Sequence, residues 1–262
     1  MSLRTITSLT NPTVKAVRAL HLRKERDATG LFVAEGLKAV MAGIETGRSP
    51  AILMHGPEAA EHPLTRTAVA ATLAAKGEVI EVTQAVLAKV SRRDNPQAVI
   101  GVFAQAFHDL SAIEPQAARA WVALHRVRDP GNLGTIVRTA DAAGCGGVIL
   151  VGECCDPYSL EAVRATMGSI FAVPLTRASE AEFAAWRNGW PGSVVGTLLN
   201  AEVDYQAADY GRPVLILMGN EQQGLTPDMA ALCDVNVKIP MRGRADSLNL
   251  AVATGIMIYA AS

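Results

Sequence analysis

The second half of the chain carries five apolar runs, Trp121-Val-Ala-Leu, Val148-Ile-Leu-Val, Val194-Val-Gly-Thr-Leu-Leu, Val214-Leu-Ile-Leu-Met and Val235-Asn-Val-Lys-Ile. A strand with one wet face alternates apolar and polar residues, whereas a nearly continuous apolar run is covered on both faces. Between these runs lie helical patterns at 132–143, 159–167, 179–187, 227–232 and 248–260. That alternation predicts an α/β fold with a mostly parallel sheet and crossover helices. Ligands of such sheets bind beyond the carboxyl ends of the strands. The turns that follow the apolar runs are therefore where chemistry is to be sought.

The first half alternates too, on a smaller scale. Asn11 and Pro12 read as the cap and first residue of a helix that brings Lys15, Arg18 and His21 together. Strand-like runs follow at Leu31-Phe-Val-Ala, Ala51-Ile-Leu-Met, Val79-Ile-Glu-Val and Ala98-Val-Ile-Gly-Val-Phe-Ala, with helices near 36–46 and 64–76 and another capped by Thr83. The stretch 108–120, with Pro115 and mixed polarity, reads as a linker between a domain at 1–107 and one at 121–262. A chain of 262 residues, half of them hydrophobic, has the length for two domains.

The net charge of −1 conceals an asymmetry. Residues 1–107 hold 13 Lys or Arg against 9 Asp or Glu, and residues 108–262 hold 11 against 16. A basic front half suits a polyanion, with Arg18, Arg23, Lys24 and Arg26 as the densest run and Arg92 and Arg93 as a second cluster. The same runs also suit an ordinary solvated helix face. Cys145, Cys154, Cys155 and Cys233 lack zinc-site spacing and read as reduced, structural thiols. No metal site is expected. No run is long enough to span a membrane and the first residues lack a signal-peptide core, so a cytoplasmic protein is expected.

Three turns stand at the strand ends. In the first, Asp129 to Ala142, Asn132 reads as a helix N-cap, and Gly134 leaves an open floor over which Arg138 reaches a phosphate or ribose oxygen. A capped amphipathic helix with Arg138 paired to Asp141 explains the same residues. In the second, Gly219 lets the backbone approach a ligand, Glu221 is a lone carboxylate that caps the next helix or orients a donor, and Gly224 frees the loop. In the third, Pro240 and Met241 stop a strand, Gly243 permits a bend, and Ser247 and Asn249 surround a helix start. The helix behind it, from Leu248 to Tyr259, is almost wholly apolar and is expected to be covered all round.

Taken in order, Asn-x-Gly-x-x-x-Arg-Thr-Ala at 132–140, Gly-x-Glu-x-x-Gly-Leu at 219–225 and Ile-Pro-Met-x-Gly-x-x-x-Ser-Leu-Asn at 239–249 resemble the three motifs of the SpoU/TrmH branch of the SPOUT methyltransferases. The stretch from Arg164 to Pro174 resembles the family too. Phe32 to Gly36 and Asn95-Pro96-Gln97 are similar to the substrate-binding domain of its rRNA-modifying members. The resemblance implies a C-terminal SPOUT domain with a deep trefoil knot, an N-terminal domain similar to ribosomal protein L30e, and a homodimer. It implies transfer of a methyl group from S-adenosylmethionine to a ribose 2′-hydroxyl of RNA, with rRNA favoured over tRNA by the front domain.

By the same resemblance, Gly219, Ile239 and Leu248 would hold the cofactor, and Gly224 and Met241 would shape its pocket. Asn132, Arg138, Glu221, Ser247 and Asn249 would form the polar side facing the ribose. A guanidinium does not deprotonate in proteins. Arg138 is therefore expected to pin a phosphate and stabilise charge on the oxygen. Arg128 and Arg164 are expected to reach RNA phosphates from a dimer partner. A nucleotide-dependent oxidoreductase would share the alternating pattern, but Gly144-Cys-Gly146-Gly147 precedes a strand where the dinucleotide fingerprint follows one. An RNA-binding protein that lost catalysis would show losses among the polar motif positions, and all are filled.

Overall fold

The computed structural model describes residues 4–261. Two compact units emerge, residues 4–105 with Asp156–Ala172, and Ala106–Cys155 with the chain from Val173 onward.

The first unit holds a five-stranded sheet of β1 (Arg4–Ile6), β2 (Leu31–Glu35), β3 (Ile52–His55), β4 (Glu78–Val82) and β5 (Val99–Ala104), in the order β1-β4-β3-β5-β2. The β1, β4 and β3 strands run parallel, and β5 pairs antiparallel with both β3 and β2. Its helices are α1 (Pro12–Ala19), α2 (Arg23–Thr29), α3 (Leu37–Glu45), α4 (Pro63–Ala74) and α5 (Gln84–Ser91). The Asn11 side chain accepts from Thr13 N at 2.8 Å and Thr83 caps α5, as their sequence positions predict. The sequence reading missed α2, whose run of charges hides any apolar period, and the three-residue β1.

The second unit holds β6 (Ala120–His125), β7 (Val148–Val151), β8 (Leu175–Ala178), β9 (Val194–Thr197), β10 (Val203–Asp204), β11 (Val214–Met218) and β12 (Val235–Lys238). Their order is β10-β12-β9-β11-β6-β7-β8, and every pairing is parallel. The expected parallel sheet is present, with β8 and β10 added. Helices α6 (Pro130–Ala142), α8 (Glu180–Arg187), α9 (Pro227–Ala230) and α10 (Leu250–Ala261) belong to this unit, and α7 (Leu160–Thr166) to the first. The chain runs from β6 through β7 to β8 on one side, then returns as β9, β11 and β12 on the other. The carboxyl ends of β6 and β11 are aligned, with Leu124 opposite Met218.

The division of the chain is not a single cut at 108–120. Leu110, Ile113 and Ala118 pack against the core of the second sheet, His108 N donates to Leu175 O at 2.8 Å, and Trp121 Nε1 donates to Pro115 O at 3.1 Å. The expected linker is thus part of the second unit's packing. Conversely, Asp156–Ala172 leaves the second sheet and completes the first unit. Tyr158 lies 4.6 Å from Phe32 between ring centroids, and Phe171 lies 4.6 Å from Phe103.

Two expectations about basic residues fail for the same reason. Arg26 is only 4 % exposed; its Nε and Nη2 reach Asp156 Oδ2 at 2.8 and 2.7 Å, and its Nη1 donates to Leu20 O. Arg164 makes a bidentate pair with Glu35 at 3.0 and 2.8 Å and also donates to Ser91 O. Burial pushes the Glu35 carboxyl up while Arg164 pulls it down, leaving it above its ordinary value. A buried guanidinium such as that of Arg26 must be paired, and the partly exposed one of Arg164 is paired as well. Both arginines are spent on holding Asp156–Ala172 within the first unit, so neither is free for RNA. Nearby, Arg23 pairs with Asp27 and Lys24 with Glu25 at the surface.

The four cysteines are free thiols. Burial pushes Cys145 up to about 11 and Cys233 up to about 12, so both stay protonated at neutral pH. No described helix is long and apolar enough to cross a membrane, and the described residues hold no cluster of metal-ligating side chains.

Candidate active site

The three turns meet beyond the carboxyl ends of β6, β11 and β12, on the edge where a ligand was expected. The Glu221 carboxylate joins the second turn to the first. Its Oε1 accepts from Asp129 N at 3.0 Å and from Asn132 Nδ2 at 3.3 Å, and its Oε2 accepts from Arg128 N at 3.2 Å. Asn132 passes the connection on, since its Oδ1 accepts from Asn249 Nδ2 at 2.8 Å. The Oδ1 of Asn249 in turn accepts from Ala251 N and Val252 N, capping α10. One carboxylate and two amides thereby lock three turns that lie far apart in sequence.

This geometry revises the local readings. Asp129, not Asn132, is the N-cap of α6, and its Oδ1 accepts from Asn132 N at 2.6 Å. Asn132 sits in the first helical turn with its amide free to bridge outward. Gly134 is buried, so it provides no open floor beside Arg138. Gly219 is needed by its own loop, since a Cβ there would stand 2.0 Å from Gly224 C and 2.2 Å from Leu225 N. Asn220 and Gly224 exchange backbone hydrogen bonds of 3.1 and 2.9 Å across that loop, and Asn220 Nδ2 donates to Arg126 O.

For Glu221, burial raises the pKa, but backbone N–H groups, those of Asp129 and Arg128 included, and the Asn132 amide lower it further, leaving it below the ordinary carboxylate value. The folded state thus favours the ionised form, and the resulting stabilisation is present above the unfolded pKa and lost as pH falls through the lowered folded value. A carboxylate held in this way is a poor proton acceptor at neutral pH. Glu221→Gln is expected to weaken cofactor affinity about tenfold, the scale of a lost charge-assisted hydrogen bond. The activity profile between pH 6 and 9 should keep its wild-type shape; loss of an ascending limb in the variant would instead make Glu221 the base.

A cavity of about 550 Å³ opens beside this lock. All five residues expected to hold cofactor, Gly219, Gly224, Ile239, Met241 and Leu248, line it, as do Glu221 and Ser247. Thr197, Leu198, Leu199 and Asn200, at the end of β9, also line it and were missed. Their signal was available, because β9 is one more parallel strand whose carboxyl end faces the same edge. The size lies in the range of small-molecule sites, and the apolar side chains with exposed loop backbone suit a nucleoside joined to a charged tail. Ser247 Oγ donates to Asp246 Oδ1 at 3.0 Å.

Arg138 projects from α6 on the side away from Leu133, Ile136, Val137 and Ala140, which are buried. It is exposed and makes no hydrogen bond or ion pair among the described residues, so the expected alternative partner Asp141 does not hold it. The Arg128 side chain is likewise exposed. His125 ends β6 and is buried, with Nε2 2.9 Å from Glu180 Oε1.

A parallel α/β sheet with a nucleoside-sized cavity at its carboxyl edge, together with the three motifs and the family match that follows, defines the class, an S-adenosylmethionine-dependent methyltransferase acting on RNA. Comparison with known proteins agrees. Residues 119–259 match the SpoU rRNA methylase family, and residues 11–101 match the MRM3-like substrate-binding domain. The chain belongs to the SpoU rRNA methylase family. It is 50% identical to an S-adenosylmethionine-bound rRNA methyltransferase from Sinorhizobium meliloti, with a TM-score of 0.93 over 99% of this chain and 97% of that one. It is 31% identical to the 23S rRNA (uridine(2479)-2′-O)-methyltransferase of Streptomyces viridochromogenes, over 91% of this chain and 85% of that one. Identity to the 23S rRNA (guanosine(2553)-2′-O)-methyltransferase of Bacillus subtilis is 29%, over 98% of each.

Proposed function

We propose that this chain methylates a ribose 2′-hydroxyl of 23S rRNA in the cytoplasm, using the cavity lined by the second and third turns for S-adenosylmethionine. The observation that carries this reading is the Glu221–Asn132–Asn249 lock, which ties the first motif to the second and third, and residues of those two line one cavity. When bound, S-adenosylmethionine supplies a methyl group on a positively charged sulfur. The residues of the chain have to align the ribose oxygen with it and manage the charge that develops on that oxygen.

In this reading Gly219, Gly224, Ile239, Met241 and Leu248 bind the cofactor, with Leu198 and Leu225 adding apolar wall. Ser247 and Asn249 face the ribose side, and Asn132 and Glu221 fix the spacing between substrate and cofactor loops. Arg138, exposed and unpaired, takes the phosphate beside the target ribose and stabilises negative charge on the attacking oxygen. Arg128 contacts a neighbouring phosphate.

We also read the second unit as one half of a homodimer, its last helix entering the trefoil knot that the family resemblance implies. The apolar α10 is not covered all round as expected, since Val252 is 52 % and Tyr259 62 % exposed, with Ile256 between them on the same helix face. A second copy would cover that stripe. Tyr259→Glu is expected to convert a dimer to a monomer in sedimentation equilibrium; a wild-type monomer would refute the assembly.

The activity is tested by supplying radiolabelled S-adenosylmethionine to 23S rRNA from a strain lacking the gene and separating the labelled nucleosides. A 2′-O-methyl nucleoside from 23S rRNA is expected. Label confined to tRNA would transfer the reading to the tRNA-modifying members, and cofactor binding without transfer to any RNA would favour a catalytically silent RNA-binding protein.

A further inference from the structure

The C-terminal ends of α1 and α5 converge in the first unit, which the linear sequence does not reveal. Arg18 from the last turn of α1, with Lys89 and Arg92 from the end of α5, lines a hollow of about 210 Å³. His21 completes the wall beside them, its Nε2 2.7 Å from Val90 O. No carboxylate lines the hollow. The three cationic side chains make no hydrogen bond or ion pair among the described residues.

Such a gathering of charge is unfavourable in the free protein. Burial and then the positive charges of Arg92, Arg164 and Arg18 hold the His21 imidazole below its ordinary pKa, against the opposing pull of the Val90 carbonyl. The ring therefore stays neutral and offers bulk and shape without further charge. A cation at a helix C-terminus complements the helix dipole. That accounts for one basic residue at each helix end, not for three directed into one hollow. Arg92 closes α5 in the left-handed conformation with φ 55°, as Met167 closes α7 with φ 53°. Glycine or asparagine ordinarily serves there. From that position Arg92 lines the hollow.

We propose that the α1–α5 hollow is a phosphate-binding site that grips the RNA backbone through Arg18, Lys89 and Arg92. This rests on the RNA-methylating reading and deepens it by placing the grip at a defined point of the substrate-binding domain. Of the run expected from sequence it keeps Arg18 and sets aside the rest, since Arg23 and Lys24 have acidic neighbours and Arg26 is buried. Arg93 lines a different hollow, with Lys38 and the Glu35–Arg164 pair. A grip of this kind positions the RNA and supplies affinity without reading sequence.

The test is binding of the full-length protein to deproteinised 23S rRNA across a salt series. Arg18→Ala, Lys89→Ala and Arg92→Ala are each expected to weaken binding several-fold and to reduce the slope of log affinity against log salt by about 0.7 to 0.9 for each phosphate no longer neutralised. Lys24→Ala should change neither, and S-adenosylmethionine affinity should be unchanged in all four. Arg92→Gly separates binding from folding, because it relieves the left-handed residue: its melting temperature should hold or rise while RNA affinity falls. Wild-type affinity and salt slope in Lys89→Ala and Arg92→Gly would overturn the site. A wild-type protein that binds neither 23S rRNA nor oligouridylate would overturn the RNA reading itself.

Discussion

Arg138→Ala is expected to lower the rate of methyl transfer about a hundredfold to a thousandfold, the loss that follows removal of one group stabilising charge in a transition state. S-adenosylmethionine affinity should stay within a few fold of wild type, because Arg138 is absent from the lining of the cavity. Stability should also hold, since the side chain is exposed, has no partner among the described residues and lies off the buried face of α6. Isothermal titration with the cofactor and single-turnover transfer to rRNA separate the two effects. Undiminished turnover would remove Arg138 from the reaction. Arg138→Lys keeps the charge but loses the planar fork of donors, and is expected to recover only part of the rate.

The second large effect concerns stability. Asp156→Ala is expected to cost about 3 to 5 kcal/mol, because it leaves a buried guanidinium without its counter-ion. Arg26 and Asp156 are 4 % and 6 % exposed, and Asp156 Oδ1 also accepts from Tyr158 N at 2.9 Å. Urea denaturation of the full chain measures the loss. A double replacement, Arg26→Met with Asp156→Leu, should recover most of it, since an apolar pair needs no compensation for lost hydration. Equal destabilisation by the double and single changes would show that packing around Asp156, not charge, holds the segment. By the same logic, a fragment beginning at residue 108 would strand Tyr158, Phe171 and Asp156 without Phe32, Phe103 and Arg26, their partners in the first unit.

The corrections to local readings share one cause. Asn132 looked like a helix cap because Asn commonly is one, yet Asp129 three residues earlier takes the cap and leaves the Asn132 amide to bridge Glu221 and Asn249. Gly219 does line the cavity, but its lack of a Cβ is required first by the loop backbone that folds back upon it. Arg26 and Arg164 looked like surface cations because a charge run carries no record of what lies opposite it. Each partner, Asp156 and Glu35, is more than a hundred residues away in the chain.

The parallel sheet, the helices that cross it and the edge that holds the site were all legible in the sequence, because strand burial and helix period are written locally in the spacing of apolar residues. The motif residues were legible for a similar reason, being short runs at strand ends. Tertiary structure alone decided that Glu221 is a clamp with a lowered pKa, that Asp156–Ala172 belongs with the first unit, and that Arg18 shares a hollow with Lys89 and Arg92. Charge and hydrogen-bond roles depend on what stands within a few ångströms, and residues distant in sequence reach that range only once the chain has folded.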